Sequence, residues 1–228
     1  MAGIGSPAGG LSVSGKRAPS SVWLIRHGQS QANAGVATEH PASIALTDLG
    51  HEQARTIAGQ VQGIPDQIVV SPFIRTLHTA QPLLDKLQAS GAKVPVLEWP
   101  IQEFTYLNPV RCRGTTAQDR KAWAQAYWQR ADPDWEDGDG AESFRQLMYR
   151  VDDFSVRLAA TPGWSLVFGH GMFFKAFLIG LEHGTKASPQ AMTRYRALES
   201  AAPIHNAQMI QLAADVDHGR KLAEGGQA

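Results

Sequence analysis

The chain has almost no sulfur chemistry, no charge imbalance and no long apolar run. Each lack excludes a class of protein. Among 228 residues there is one cysteine, Cys112. A single thiol cannot build an intrachain disulfide framework, so a stapled secreted scaffold is excluded. Cys112 reads as an ordinary free thiol of a reducing compartment, which suggests a cytoplasmic chain. Arg111 and Arg113 flank it and leave a reactive thiolate open, since cationic neighbours favour that form. Lys plus Arg and Asp plus Glu both number 21, a formal net charge of +0. Such a chain has no bulk attraction for nucleic acid or a membrane surface, although a local basic pocket for a phosphate remains compatible with it. No run approaches the roughly 20 apolar residues of a membrane span. The first ~20 residues hold Gly, Ser, Ala and Pro with Lys16 and Arg17, and the apolar segment of a secretory signal is missing. No His-x-His or His-Glu-x-x-His spacing occurs, so neither a metal nor any other cofactor is expected.

What is present alternates in character along the chain. Composition predicts a flexible tail over 1–18, one α/β domain over 19–216 and a second loose tail over 217–228. Short, wholly apolar runs at 22–25, 68–70 and 164–168 read as buried strands. A run at 94–97 is weakened as a central strand by Pro95. A last strand is expected over about 207–212. Between them lie helical patterns. Thr47 is a plausible N-cap, and Leu49, Ala54, Ile57, Ala58 and Val61 form an apolar face that Gly63 and Pro65 end. A helix follows Pro72 and contains Pro82, which should kink or divide it. Phe144, Leu147, Met148, Val151, Phe154 and Leu158 make the apolar stripe of a helix reaching about Ala160. Met172 to Leu181 reads as a buried helix. Strands alternating with helices predict a three-layer α/β/α sandwich around a mostly parallel sheet.

The strand ends carry the chemistry. The first strand stops at Arg26-His27-Gly28, which brings a cation, an imidazole and an unhindered backbone to one point. The second stops at Ser71-Pro72, with Arg75 in the first turn of the next helix. There a ligand phosphate could also meet free helix N–H groups. The fourth stops at Gly169-His170-Gly171, a histidine between two glycines that permit close approach of a ligand. Open α/β sheets bind ligands in the crevice outside the carboxyl ends of their strands. Several such ends bearing Arg and His therefore point to one site. His40, His51, His183, His205 and His218 lack this context and read as structural or solvated.

Taken together, these residues resemble the histidine phosphatase superfamily, the phosphoglycerate-mutase-like enzymes. The matching motifs are Arg26-His27-Gly28 followed by Asn33, then Ser71-Pro72 with Arg75 and Thr79-Ala80, and finally His170-Gly171. The resemblance covers about residues 22–175. It implies that the proton donor to the leaving group comes from the region after the third strand, where Glu103 is the matching position. Glu142-Ser143 resembles a Gly-Glu-Ser motif interrupted by Ala141. Glu142 could cap the following helix or hold another site residue. The chain departs from the mutase pattern after Glu103, reading Phe-Thr-Tyr-Leu-Asn-Pro.

The residue types suit phosphoryl transfer. A neutral His27 nitrogen can attack phosphorus if a backbone carbonyl orients the other nitrogen. Arg26, Arg75 and His170 can neutralise the equatorial oxygens, and Asn33 adds a neutral donor. Glu103, protonated, can serve the departing alkoxide and then act as base for water. Gly28, Ser71 and Arg113 are further candidates for substrate contact. Residues 104–140 form an insertion with a helical patch around 121–130. There Trp123, Tyr127 and Trp128 either pack an amphipathic helix or shape a lid over the site. The expected activity is phosphomonoester hydrolysis through phospho-His27. The partner would be a small phosphorylated molecule, with a phosphoprotein also possible and nucleic acid or membrane not expected. A mutase and a non-catalytic phosphate-binding module are the alternatives. Nothing in the sequence sets the oligomeric state.

Overall fold

The computed structural model describes residues 21–214 and 222–224. The expected N-terminal tail, 1–18, and most of the expected C-terminal one lie outside the described residues. The core is a six-stranded sheet made of β1 (Ser21–Arg26), β2 (Gln67–Val70), β3 (Val96–Glu98), β4 (Trp164–Gly169), β5 (Met209–Ala214) and β6 (Leu222–Glu224). Their spatial order is β3-β2-β4-β1-β5-β6. β3, β2, β4 and β1 are mutually parallel, and β5 and β6 add antiparallel pairs at one side. Leu222–Glu224 thus pair with β5, although composition placed them in a loose tail. The open edge of β5 offers backbone groups that a following segment can satisfy.

Alternation along each strand sends side chains to two cores. Val22, Leu24, Val69 and Val167 face one; Ile25, Ile68, Val70, Leu166 and Phe168 face the other. That is why these strands read as unbroken apolar runs: both faces are covered. The second core is closed by α1 (Asp48–Gln60) and α2 (Ile74–Ala89) through Ile57, Ala58, Ala80, Leu83 and Leu87, with Val61 at the C-cap of α1. The first is closed by α4 (Phe144–Ala160), α5 (Gly171–His183) and α6 (Pro189–Ala201), with α3 (Lys121–Arg130) packed at its margin. The result is the expected three-layer sandwich. Fully burying one Leu, Ile or Phe contributes about 1.5–3 kcal/mol, so the α4 stripe alone is a large part of the stabilisation.

Several local expectations change. α2 runs through Pro82 undivided. Burial of Thr79, Ala80, Leu83 and Leu87 on both sides of the proline offsets the missing backbone bond, as tertiary packing commonly does. Leu49, assigned to the apolar face of α1, is 47% exposed. β3 starts directly after Pro95 and lies at the sheet edge, the place a proline tolerates. α6 has no counterpart in the sequence reading. Its Ser188 cap and Pro189 are ordinary helix-start signals. However, only Met192 and Tyr195 are buried along it, too few to print a period.

The register then fixes the site. Arg26 pairs with Gly169, and Val70 with Phe168. The His27 N–H donates to the Gly169 carbonyl at 3.1 Å, one rung beyond the strand. So Arg26, His27, Ser71 and His170 leave the sheet side by side.

Candidate active site

His27 is 2% exposed. Its Nδ1 lies 2.7 Å from the Gly28 carbonyl. A carbonyl only accepts, so Nδ1 carries the proton and Nε2 keeps its lone pair. The other end agrees: Arg75 Nε donates to His27 Nε2 at 3.1 Å. Burial, then the nearby Arg75 and Arg26 charges, hold the His27 pKa well below its ordinary value, against a smaller opposing effect of the Gly28 carbonyl. The imidazole is therefore neutral.

Arg75 organises the rest. It is 5% exposed, and its three nitrogens have three targets. Nε serves His27, Nη2 donates to His170 Nδ1 at 3.1 Å, and Nη1 donates to the Pro41 carbonyl at 2.7 Å. Because arginine only donates, His170 Nδ1 is an acceptor, and His170 Nε2–H donates to Ser71 Oγ at 2.6 Å. His170 is also neutral, its pKa lowered chiefly by complete burial and then by Arg75. Burial pushes Arg75 down to about 10, with Glu103 opposing, so the guanidinium stays charged at neutral pH.

Arg26 Nη1 donates to the Ile204 carbonyl at 2.5 Å. Its Nε is buried and has no partner among the described residues. A buried unsatisfied donor is costly, and an anion entering beside it would remove that cost. Asn33 spends its side-chain oxygen on Ser30 and Asn206. Its amide nitrogen is the group left for a ligand. Asn206 also donates to the His27 and Gly28 carbonyls, fastening the loop after β1 to the chain before β5.

Glu103 stands across from these groups, at the start of α5. Its Oε1 accepts from the Phe104 and Phe173 N–H groups at 3.0 and 3.1 Å, and its Oε2 from Met172 N–H at 3.3 Å. A carboxylate at a helix N-terminus is favourably placed. Oε2, with a single long contact, is the freer oxygen.

Arg26, His27, Asn33, Arg75 and Glu103 line one cavity of about 320 Å³. The remaining sequence candidates do not line it. Gly28 is a packing position: a Cβ there would lie 2.5 Å from the Gly50 carbonyl oxygen. Its N–H donates to Thr79 Oγ1 at 3.0 Å, and its carbonyl holds His27. Ser71 is buried and turned toward His170. His170 lies behind Arg75, with both ring nitrogens engaged. Arg113 is exposed and does not line the cavity, whereas Arg120 does. Arg111, Arg113 and Arg120 share one loop-rich stretch, and no sequence signal chooses among them. Ser30, Phe73, Phe104, Thr105 and Tyr106 also line the cavity. Cys112 lines it too, as a buried free thiol.

The insertion is tied into the first core. Tyr127 is fully buried and its ring meets Trp128 edge-on and Tyr106 and Trp135 at a tilt. Trp123, Tyr127 and Trp128 do not line the cavity, whereas Arg120 and Ala124 at the start of α3 do. Among the described residues, no group of three His, Cys, Asp or Glu could hold a metal ion, and no helix is long and apolar enough to cross a membrane. What the arrangement offers is an unprotonated imidazole nitrogen, one buried and one half-buried guanidinium, an amide and a carboxylate around one small space. It suits attack on a tetrahedral dianion.

Known phosphatases resemble this chain in sequence and in fold. The chain is 31% identical over 145 residues to an adenosylcobalamin/alpha-ribazole phosphatase of Escherichia coli, a match covering 60% of this chain and 66% of that protein. The solved alpha-ribazole phosphatase of Shigella flexneri shares the fold with a TM-score of 0.65 at 22% identity, over 86% of this chain and 91% of that one. A phosphoserine phosphatase of Entamoeba histolytica, solved with 3-phosphoglyceric acid, gives 0.66 at 21% identity over 91% and 98%. The family model of the histidine phosphatase superfamily (branch 1) matches residues 22–214. That model spans most of the chain, so the chain belongs to that superfamily.

Proposed function

We propose that the chain hydrolyses a small phosphomonoester through a phosphohistidine on His27, with Glu103 as acid and then base. The observation that carries this reading is the tautomer of His27. The proton is held at Nδ1 by the Gly28 carbonyl, so Nε2 keeps a lone pair that accepts from Arg75 Nε, in a ring that lines the cavity. A phosphate dianion entering beside Arg26 Nε would draw the Arg75 N–H groups onto its oxygens and release Nε2 from Arg75. Nε2 then attacks phosphorus, the bond from phosphorus to the leaving oxygen breaks, and Glu103 gives that oxygen its proton. In the second half, water attacks phosphorus, its proton passes to Glu103, and the nitrogen–phosphorus bond breaks to release inorganic phosphate. Arg26 and Arg75 balance the charge on the equatorial oxygens throughout. His170 acts through Arg75, which it orients.

The substrate is a small phosphorylated molecule. Phe73, Phe104, Tyr106 and Arg120 line the cavity, a wall suited to a ring carrying polar groups. The relatives named for alpha-ribazole make its phosphate the first candidate. The test is phosphate release from an aryl phosphate and from alpha-ribazole phosphate, by wild type and His27→Ala, with denaturing quench to trap phosphoenzyme. Acid-labile label on wild type only, with no turnover by the variant, is the expected result. Turnover retained by His27→Ala would overturn it.

A further inference from the structure

We infer that Glu142 and Arg150 are positioning residues that hold the Glu103 loop at its working distance. This rests on the reading of Glu103 as the acid. Glu103 lies on an irregular segment between β3 and the insertion, with no strand or helix of its own. Arg150, on α4, spans that segment. Its Nη1 donates to the Pro100 and Gln102 carbonyls at 2.9 and 3.0 Å. Its Nε and Nη2 donate to the two oxygens of Glu142 at 2.6 and 2.7 Å. The Glu142 backbone N–H donates in turn to the Thr105 carbonyl at 2.8 Å. One guanidinium and one glutamate therefore grip the loop at residues 100, 102 and 105, on either side of Glu103. The same guanidinium stacks on the ring of Phe173, whose N–H holds Glu103 Oε1. Arg150 thus fixes both the loop that carries the acid and the helix start that orients it.

Neither residue is needed to begin α4. Ser143 is the N-cap, in a reciprocal capping box with Gln146, so the Glu142 carboxylate is free for another task. Both side chains are about one-sixth exposed, at 16% and 15%. Ion pairs this far out of water often add little stability over an apolar pair of similar size, and are kept where they specify one geometry. A fork with four directed bonds specifies geometry in a way that a lysine ammonium cannot.

The experiment is a leaving-group series, using p-nitrophenyl phosphate and a simple alkyl phosphate, on wild type, Arg150→Lys, Glu142→Gln and Glu103→Gln. The nitrophenolate leaves without a proton, whereas the alkoxide needs one. A general acid contributes about 10²–10⁴-fold, and a displaced one should lose at least about tenfold of that. Arg150→Lys and Glu142→Gln should therefore lower kcat/KM, which ends at leaving-group departure and so precedes the work of Glu103 as base, by about tenfold or more for the alkyl ester while staying within about twofold on the nitrophenyl ester. Equal losses on both esters, no loss on either, or a rise in KM alone would overturn the inference, pointing to a general structural role, to none, or to direct substrate contact. Glu142→Gln keeps the packing and one acceptor oxygen, so it serves if Arg150→Lys fails to fold. Glu103→Gln separates the two failures. If it is selective and the clamp variants are not, only the clamp is wrong. If it is not selective, Glu103 is not the acid and the clamp falls with it.

Discussion

At the scale of single residues, the site depends on one side chain whose three nitrogens each have a partner. Arg75 meets two imidazoles and a backbone carbonyl in the plane of its guanidinium. A lysine brings the charge but neither the plane nor the fork. Arg75→Lys should therefore keep the positive potential and lose alignment. The loss expected from removing one preorganised donor is about 10²–10³-fold in kcat. It is read on an aryl phosphate, where the leaving group needs no help from Glu103. A kcat within a fewfold of wild type would mean that charge alone suffices. Residue identity was legible where chemistry and strand ends coincide, as at His27, Arg75 and Glu103, which do meet in one cavity. Ser71, His170 and Gly28 bond or pack against neighbouring groups and do not line that cavity. Whether such a group faces a ligand or holds a neighbour depends on which of its atoms are already bonded, and a motif does not record that.

At the scale of elements, the strands were legible because both faces are buried, which leaves no polar residue to blur a run such as Leu24-Ile25 or Ile68-Val69-Val70. α4 was legible for the opposite reason, a clean apolar stripe against an exposed face. α6 presents too narrow a buried strip to be seen. The contact between α1 and the loop after β1 was also hidden. A Cβ on Gly50 would lie 2.1 Å from the Gln29 carbonyl oxygen, so backbone meets backbone there. This reverses the usual sense of a helical glycine. Gly59, in the same helix, has nothing within 4 Å of a built Cβ. Gly59→Ala should stabilise by about 0.4–1 kcal/mol, as glycine replacement in compatible backbone does. Gly50→Ala should destabilise by about 1–3 kcal/mol through overpacking, and should reduce activity by displacing the loop that carries His27. Thermal midpoints of the two variants, compared with wild type, check this. A stabilised Gly50→Ala would show that α1 can move away at no cost to the site.

At the scale of the whole molecule, the site is paid for in acid stability. Folding buries His27 and His170 as neutral rings beside two arginines and moves both pKa values well below the ordinary 6.5. Between the folded values and 6.5, the unfolded chain binds protons that the folded chain refuses. Stability therefore rises with pH across that window and is fully present above it. It falls as pH drops below about 6.5, by up to roughly 1.4 kcal/mol per pH unit for each ring. An oxyanion in the cavity should oppose this. It binds only the folded state, adding about 2.7 kcal/mol at a hundred times its dissociation constant, and its charge favours the imidazolium forms. The thermal midpoint of the free protein is accordingly expected to fall from pH 7.5 to pH 5.5, and added inorganic phosphate or vanadate should recover more at the acid end. His27→Asn removes one of the two titrations and should make the acid limb shallower without abolishing it. An acid limb of unchanged slope in that variant would place the lability in other groups. It would also mean that His27 takes up a proton as readily in the folded state as in the unfolded chain.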